Sequence, residues 1–322
     1  MEKQMLKKKR NLKDGDIIPL YFDEAFKIMF ANPNHLEILT LLLSRILKVE
    51  YKEIVGTVEL APLSIPNRTL GEKKTERDVV VSFKSSDKYK IILEVNVKPK
   101  FYQSVIDRNI FYMQEVASNG FEEGEDFQTM EVTFLVNFNT FYVDEIHKKT
   151  LDEYLLRNEE GYVLTKKQRV LNINIVECYN LWYHNNYQGK FEPYEEDLML
   201  LSAAMYVTKK NDFERILDQV RTKPEIKELM EGVLSEMTED EKMWGRFYNK
   251  EEEEAKILQG IVVEERAAAK EEGIQEKEKE VIINMYNQNM DIDLISSCVN
   301  LSIQEVETII QEYISSKKNS KN

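Results

Sequence analysis

The stretch IILEVNV, residues 91–97, reads as a β-strand that carries a carboxylate and an amide among branched apolar side chains. Side chains alternate across a strand. Ile92, Glu94 and Asn96 therefore share one face, while Ile91, Leu93, Val95 and Val97 share the other. A strand apolar enough to be buried has to find partners for Glu94 and Asn96, and the segment before it offers one. TERDVVVSF (75–83) is a second strong strand, joined to KYKIILEVNV (88–97) through the short polar turn KSSDK (84–88). With Ser86 at the centre of a three-residue loop, Val79 faces Leu93, Val81 faces Ile91 and Phe83 faces Tyr89, one consistent apolar face. The other face sets Asp78 opposite Glu94 and Glu76 opposite Asn96. A slip of one residue would mix the faces, so this parity is favoured.

Like charges directly opposite each other in a sheet repel. A divalent cation between Asp78 and Glu94 removes that cost. Hard cations take carboxylate oxygens, and Mg2+ is usually held by one or two carboxylates with water completing its shell. A metal so held lowers the pKa of a bound water and polarises a phosphoryl oxygen. The other reading of the same residues is the solvent-facing side of an antiparallel sheet with incidental acids.

The chain has 322 residues, 42% of them hydrophobic and 32% charged, which suits one sizeable core with appendages. The longest apolar run, LEILTLLLSRIL (36–47), is too short for a bilayer and holds Glu37 and Arg45. The basic start MEKQMLKKKRNLK (1–13) has no apolar stretch behind it and does not read as a secretory signal. Cys178 and Cys298, far apart, argue against a disulfide framework and fit a reducing cytoplasm. His35, His147 and His184 have no zinc spacing. The net charge of -14 is unevenly spread: the first 110 residues hold 20 Lys and Arg against 15 Asp and Glu, and the rest hold 24 against 43. The acidic total therefore does not exclude a phosphate-bearing partner for the N-terminal half.

Along the chain, FDEAFKIMFANPNHLEILTLLLSRIL (22–47) has helical apolar spacing broken at ANPN (31–34), and EIVGTVELA (53–61) reads as a strand. KFYQSVIDRNIFYMQEVAS (100–118) predicts a helix ended by Asn119-Gly120, MEVTFLVNF (130–138) a strand, and GYVLT (161–165) with RVLNINIVEC (169–178) a hairpin. From about 194 the pattern is helical, with amphipathic EEDLMLLSAAMYV and DFERILDQV, then a highly charged helix former over 250–280. VIINMYNQNMDIDLISSCVNLSIQEVETIIQEYI (281–314) predicts three short helices, with Ser302 and Glu305 as a capping box. Its outline resembles a helix-turn-helix. The would-be recognition helix, however, carries Glu305, Glu307 and Glu312 and no Lys or Arg, which suits packing or protein contact better than a phosphate backbone. The expected organisation is a basic arm (1–19), a core (20–190), a helical extension (191–249), a charged linker helix (250–280) and a small helical unit (281–316).

The order of these motifs resembles the PD-(D/E)XK nuclease superfamily, and within it the Rpn-type recombination-promoting nucleases and putative transposases of bacteria. FDEAFKIMF (22–30) is similar to that family's D-x-x-F-K-x-x-F opening helix. Asp78 heads a strand, ILEVN (92–96) resembles I-E-x-Q, and Arg108 with Tyr112 resembles R-x-x-x-Y. FLVNF (134–138) fills the next strand. The resemblance covers residues 20 to about 140 well and the rest loosely.

It implies an α/β, restriction-endonuclease-like mixed sheet flanked by helices, here with an all-α C-terminal extension. It also implies a metal-dependent DNA endonuclease, with Mg2+ or Mn2+ on Asp78, Glu94 and the backbone carbonyl of Val95. DNA is the expected partner, a membrane is not, and a homo-oligomer is left open. The third catalytic position, usually Lys or Gln, is Asn96, and Arg77 stands where the superfamily has proline. Lys98, one step further on the same face, is a candidate displaced cation. Asp23 reads as a helix N-cap or a site residue, and Lys27 as a phosphate contact or a surface lysine. Arg108 and Tyr112, one turn apart, read as DNA contacts or as a buttress for Glu94. Because of Asn96, a catalytically silent relative acting as a nucleic-acid-binding or protein-interaction module is the alternative.

Overall fold

The computed structural model describes residues 14–61, 78–83, 89–98, 100–118, 131–144, 146–250, 279, 281–287, 290–299 and 301–319. The basic arm over 1–13, the turn at 84–88, the helix stop at 119–120 and nearly all of the charged helix over 250–280 lie outside the described residues. The chain divides into two compact units, Met1–Phe247 and Tyr248–Asn322.

The first unit is built on a six-stranded sheet in the order β1-β2-β3-β4-β6-β5. The strands are β1 Val58–Leu60, β2 Val79–Phe83, β3 Tyr89–Asn96, β4 Val132–Asn139, β5 Leu151–Arg157 and β6 Val163–Asn174. β3, β4 and β6 run parallel, and the other pairings are antiparallel. In the β2–β3 pair Val79 faces Leu93 and Val81 faces Ile91, the register that the apolar parity demands.

Helix α4 (Gln103–Ser118) crosses over between the parallel β3 and β4. Its Met113 and Val116 close an apolar cluster with Val80, Ile92, Leu135 and Val170 of the sheet. The opposite sheet face carries Val79, Val81, Ile91, Leu93, Phe134, Val136 and Phe138, all buried. Helix α1 (Asp23–Phe30) packs there through Phe26, whose ring centroid lies 5.7 Å from that of Phe138. Ala25, Phe26, Met29 and Phe30 form its buried stripe, the spacing of an amphipathic helix. A turn at Pro33–His35 separates α1 from α2 (Leu36–Leu47), as the ANPN break predicts.

Two stretches fold otherwise than expected. Residues 53–61 are not one strand: α3 (Tyr51–Ile54), fixed by a reciprocal capping box between Glu50 and Glu53, comes first, and only Val58–Leu60 is extended. Between them Gly56 takes φ +79, a left-handed turn that β-branched neighbours resist. The expected hairpin of 161–165 with 169–178 is instead β5 with a single long β6, turning at Asn158–Gly161. β5 was missed because it is an edge strand: Tyr154 and Leu156 are exposed, so its apolar alternation is lost. β6 stops at Asn174 because that side chain accepts a hydrogen bond from the Glu177 N–H and caps α5 (Ile175–Tyr183).

Three further helices, α6 (Pro193–Tyr206), α7 (Lys210–Leu217) and α8 (Pro224–Glu239), complete the unit, followed by helical residues from 241. Buried Arg45 of α2 and buried Asp197 of α6 meet the exposed Arg221 in an ion cluster. Arg45 Nε lies 2.8 Å from Asp197 Oδ2, off line for a hydrogen bond, while Arg221 Nε donates to Asp197 Oδ1 at 3.0 Å.

In the second unit, helical residues 281–287, α9 (Ile292–Val299) and α10 (Ile303–Asn319) pack around Ile282, Ile295, Val306 and Ile310. The expected capping box is present: Ser302 N–H donates to Glu305 Oε2 at 2.8 Å, and Glu305 N–H donates back to Ser302 Oγ at 3.3 Å. Among the described residues no helix is long and apolar enough to cross a membrane.

Candidate active site

The site forms where β2 begins beside the end of β3. Asp78 stands one residue before β2, so the ladder does not hold its side chain to the Glu94 face, and parity alone is not enough to place it. The side chain turns across the end of the pair, and Asp78 Oδ2 accepts from the Val95 N–H at 2.9 Å. Glu94, 3% exposed, reaches back so that its Oε1 accepts from the Asp78 N–H at 3.4 Å. The two carboxylates therefore brace one another through backbone donors, and the hairpin register brings them together.

Helix α1 brings Asp23 and Lys27 to the same point. Asp23 is not the N-cap: Phe22 holds that position, without a side-chain bond, and Asp23 is the first helical residue. One turn on, Lys27 Nζ lies 3.0 Å from Asp23 Oδ1 and 3.4 Å from Asp78 Oδ1. Burial lowers the Lys27 pKa, but Asp23 and Asp78 outweigh it and hold the ammonium above its ordinary value. Burial first, then the hydrogen bond and charge of Asp23, push the Asp78 carboxyl up to about 7, against the opposing pull of the Val95 N–H and Lys27. Lys27 thus bridges Asp23 and Asp78.

The chemistry of the donor set is the test of fit for a metal. Asp78 and Glu94 offer hard carboxylate oxygens and Val95 a neighbouring carbonyl, a donor set suited to Mg2+ or Mn2+. No group of three or more His, Cys, Asp and Glu side chains set for a metal occurs among the described residues, so the set rests on two carboxylates and a carbonyl.

Asn96 belongs to a different construction. Its Oδ1 accepts from Arg108 Nη2 at 2.9 Å and from Asn109 Nδ2 at 3.3 Å, and its Nδ2 donates to Asn139 Oδ1 at 3.0 Å. The chain of amides continues: Asn139 Nδ2 donates to Asn172 Oδ1 at 3.3 Å, Asn109 to Asn137 at 2.8 Å and Asn137 to Asn172 at 2.9 Å. Parallel register stacks Glu94 with Asn137 and Asn172, and Asn96 with Asn139 and Asn174. All of these side chains are buried, and buried amides are retained only when hydrogen-bonded.

Arg108 thus engages Asn96 rather than Glu94 in these bonds, and its guanidinium carbon lies 5.7 Å from the Tyr112 ring centroid. Lys98 is exposed and lies past the end of β3, where alternation no longer directs a side chain. Its backbone N–H and carbonyl both bond Thr140 Oγ1, at 2.9 and 2.8 Å. The asparagines of β4 and β6 escaped the sequence reading, although EVN, NFN and NIN repeat one two-residue polar spacing at the ends of three strands.

No curated protein and no solved structure matches the chain. Residues 20–259, which include every residue of this site, match the family described as PD-(D/E)XK nuclease family transposase, and the chain belongs to that family.

Proposed function

We propose that the protein hydrolyses DNA phosphodiesters with a divalent metal, Mg2+ or Mn2+, in the service of recombination or transposition. The observation that carries this reading is the pair of carboxylates at the β2–β3 end: Asp78 Oδ2 sits on the Val95 N–H and the buried Glu94 sits on the Asp78 N–H, with Lys27 beside Asp78. A hard cation would offset the charge of two neighbouring carboxylates. A cation bound there supplies a polarised phosphoryl oxygen and a water of lowered pKa. Asp78 and Glu94 hold it, with the Val95 carbonyl as a third oxygen donor. Lys27, kept in place by Asp23, presents a positive charge beside the phosphate, where one preorganised donor is worth about 2.7–4 kcal/mol of transition-state stabilisation. Asn96 acts as a positioning residue: its amide oxygen holds the Arg108 guanidinium at the rim of the site, with Lys98 exposed nearby.

The test is metal titration of the purified protein with plasmid and linear DNA. Asp78→Ala or Glu94→Ala should abolish cleavage while leaving the fold intact. A folded wild-type protein that cleaves neither DNA with Mg2+ or Mn2+ would leave the second reading, a catalytically silent relative that binds nucleic acid or protein. The observation favouring that reading is Asn96, which stands where the family has Lys or Gln and has both polar groups committed to Arg108, Asn109 and Asn139.

A further inference from the structure

The sheet ends differently on its two sides. β1, at one edge, is three residues long, and very short edge strands are poor templates for another chain. β5, at the other edge, runs for seven residues, Leu151–Arg157. Hydrogen bonds at its two ends fix which way its backbone points. The Asn174 N–H donates to the Thr150 carbonyl, and the Asn158 N–H donates to the Tyr162 carbonyl. Residues 150 and 158 therefore bond inward to β6, and in an antiparallel ladder every second residue does the same. Leu151, Glu153, Leu155 and Arg157 turn their N–H and C=O groups outward, where no strand of the sheet lies.

Proteins usually blunt such an edge with Lys, Pro or a bulge. LDEYLLR (151–157) has neither Lys nor Pro. The irregularity of the β5–β6 pair lies on the inner strand: from Leu155↔Arg169 to Leu156↔Thr165, β5 advances one residue and β6 four. β5 stays extended along an open side. Its surface is also apolar. Of the ten large apolar side chains exposed among the described residues, Tyr154, Leu156, Tyr162 and Leu164 all belong to this hairpin. The Tyr154 hydroxyl is bonded to Asp152, which leaves its ring, 39% exposed, as contact surface on the same face as Leu156 at 53%.

We infer that β5 pairs antiparallel with β5 of a second copy of this chain, about a twofold axis at Leu155. Backbone direction admits only registers that set outward residues against outward residues. An axis at Glu153 sets Glu153 against itself, a like-charge pair that costs stability. An axis at Tyr154 sets Glu153 against Leu155 and Asp152 against Leu156, charge against apolar side chain. An axis at Leu155 sets Glu153 against Arg157, Tyr154 against Leu156 and Leu155 against itself. Opposite charges then meet on one face and apolar side chains on the other. Arg169 already steadies the Glu153 carboxylate, its Nε 2.7 Å from Oε1, while the exposed Arg157 has no ion pair among the described residues. This sequence read against itself supplies what an arbitrary strand does not, paired charges together with paired apolar side chains. The contact is isologous and consumes the long edge, so assembly stops at the dimer.

The experiment is sedimentation velocity of the full chain from nanomolar to high micromolar concentration. The wild type should dimerise. Arg157→Glu and Glu153→Arg, each alone, set like charges opposite one another twice per dimer and should weaken association by about tenfold. Mixed together, the two variants should associate again, because each 153–157 contact in the mixed dimer joins Glu to Arg. Within one chain these residues stand about 13 Å apart along the strand and cannot pair. Leu156→Lys, at an exposed position, should weaken association by a similar factor and keeps the test decisive if Glu153→Arg does not fold. In the wild-type dimer the amides of Glu153, Leu155 and Arg157 should be protected from hydrogen exchange, and Arg157→Glu should expose them. A wild type that stays monomeric at high micromolar concentration would leave the edge to a strand of another protein and overturn the proposal. A dimer that persists unchanged in Arg157→Glu and Leu156→Lys, or folded charge variants that stay apart when mixed, would overturn it too.

Discussion

Two buried carboxylate centres lie in the first unit and are built in opposite ways. Asp197, 2% exposed, is met by Arg45 on one oxygen and by Arg221 on the other, and the Arg221 N–H adds a third contact at 3.2 Å. It ties α6 to α2 and to the loop after α7, and two arginines meet this one buried carboxylate. The head of β2 is built differently: Lys27 pairs with Asp23 and Asp78, Glu94 lies on the Asp78 N–H, and the Asp78 carboxyl is pushed up to about 7. A buried acid that serves the fold is fully compensated. An acid whose carboxyl is pushed up, as Asp78 is, belongs to the class of perturbed groups that cluster at functional sites.

The sharpest way to break this contrast is to remove each acid in turn. Asp197→Ala strands the buried Arg45 and should cost about 3–5 kcal/mol, the usual penalty for removing one partner of a buried pair. Urea unfolding checks it, and a loss under 1 kcal/mol would show that the cluster is not structural.

Asp78→Asn should act in the other direction on the metal-free protein. The folded pKa of about 7 lies above the ordinary value of 3.8, so the native state holds its proton more tightly than the unfolded chain. Stability from this group is full at acid pH and falls as pH rises from about 4 through about 7, by about 2–4 kcal/mol. The asparagine variant should lack that fall and be the more stable protein at pH 8. Melting curves at pH 5 and pH 8 read the effect directly. Mg2+ should raise the wild-type melting temperature at pH 8 and much less at pH 5, because the ligand must be deprotonated to bind it.

The smallest effect belongs to the amide chain. Asn96→Ala leaves Arg108 and Asn139 short of a partner and should cost about 1–3 kcal/mol. Because Asn96 touches neither carboxylate through a hydrogen bond, the pH dependence assigned to Asp78 should survive the change. If it disappears, the amide chain and the carboxylate cluster are one network rather than two.

The β2–β3 hairpin was legible because hydrophobic parity admits one register, which sets Asp78 opposite Glu94 in sequence, while the Asp78 side chain, one residue before β2, is placed by Val95 and Lys27. Helix α1 was legible from its apolar stripe, yet the partners of Asp23 and Lys27 were not, because they depend on how a helix lies against a strand end. The amide chain stayed hidden for the same reason. Asn137, Asn139, Asn172 and Asn174 lie in strands that become neighbours only through parallel crossovers, and no local rule announces that pairing. Asn96 was read as a substitute for a catalytic lysine because its sequence position invites that comparison. Its actual hydrogen-bond partners come from two other elements, α4 and β4.

One side chain ends a strand and begins a helix. The Asn174 N–H donates to the Thr150 carbonyl at 2.9 Å, closing the β5–β6 ladder, while its amide oxygen receives the Glu177 N–H at 3.0 Å. Sheet end and helix start therefore cannot loosen separately. In native-state hydrogen exchange the amides of Asn174 and Glu177 should exchange at one common rate, as members of a single cooperative opening unit. The carboxyl-end rim of the sheet would then open as one piece with the first turn of α5, not fray residue by residue.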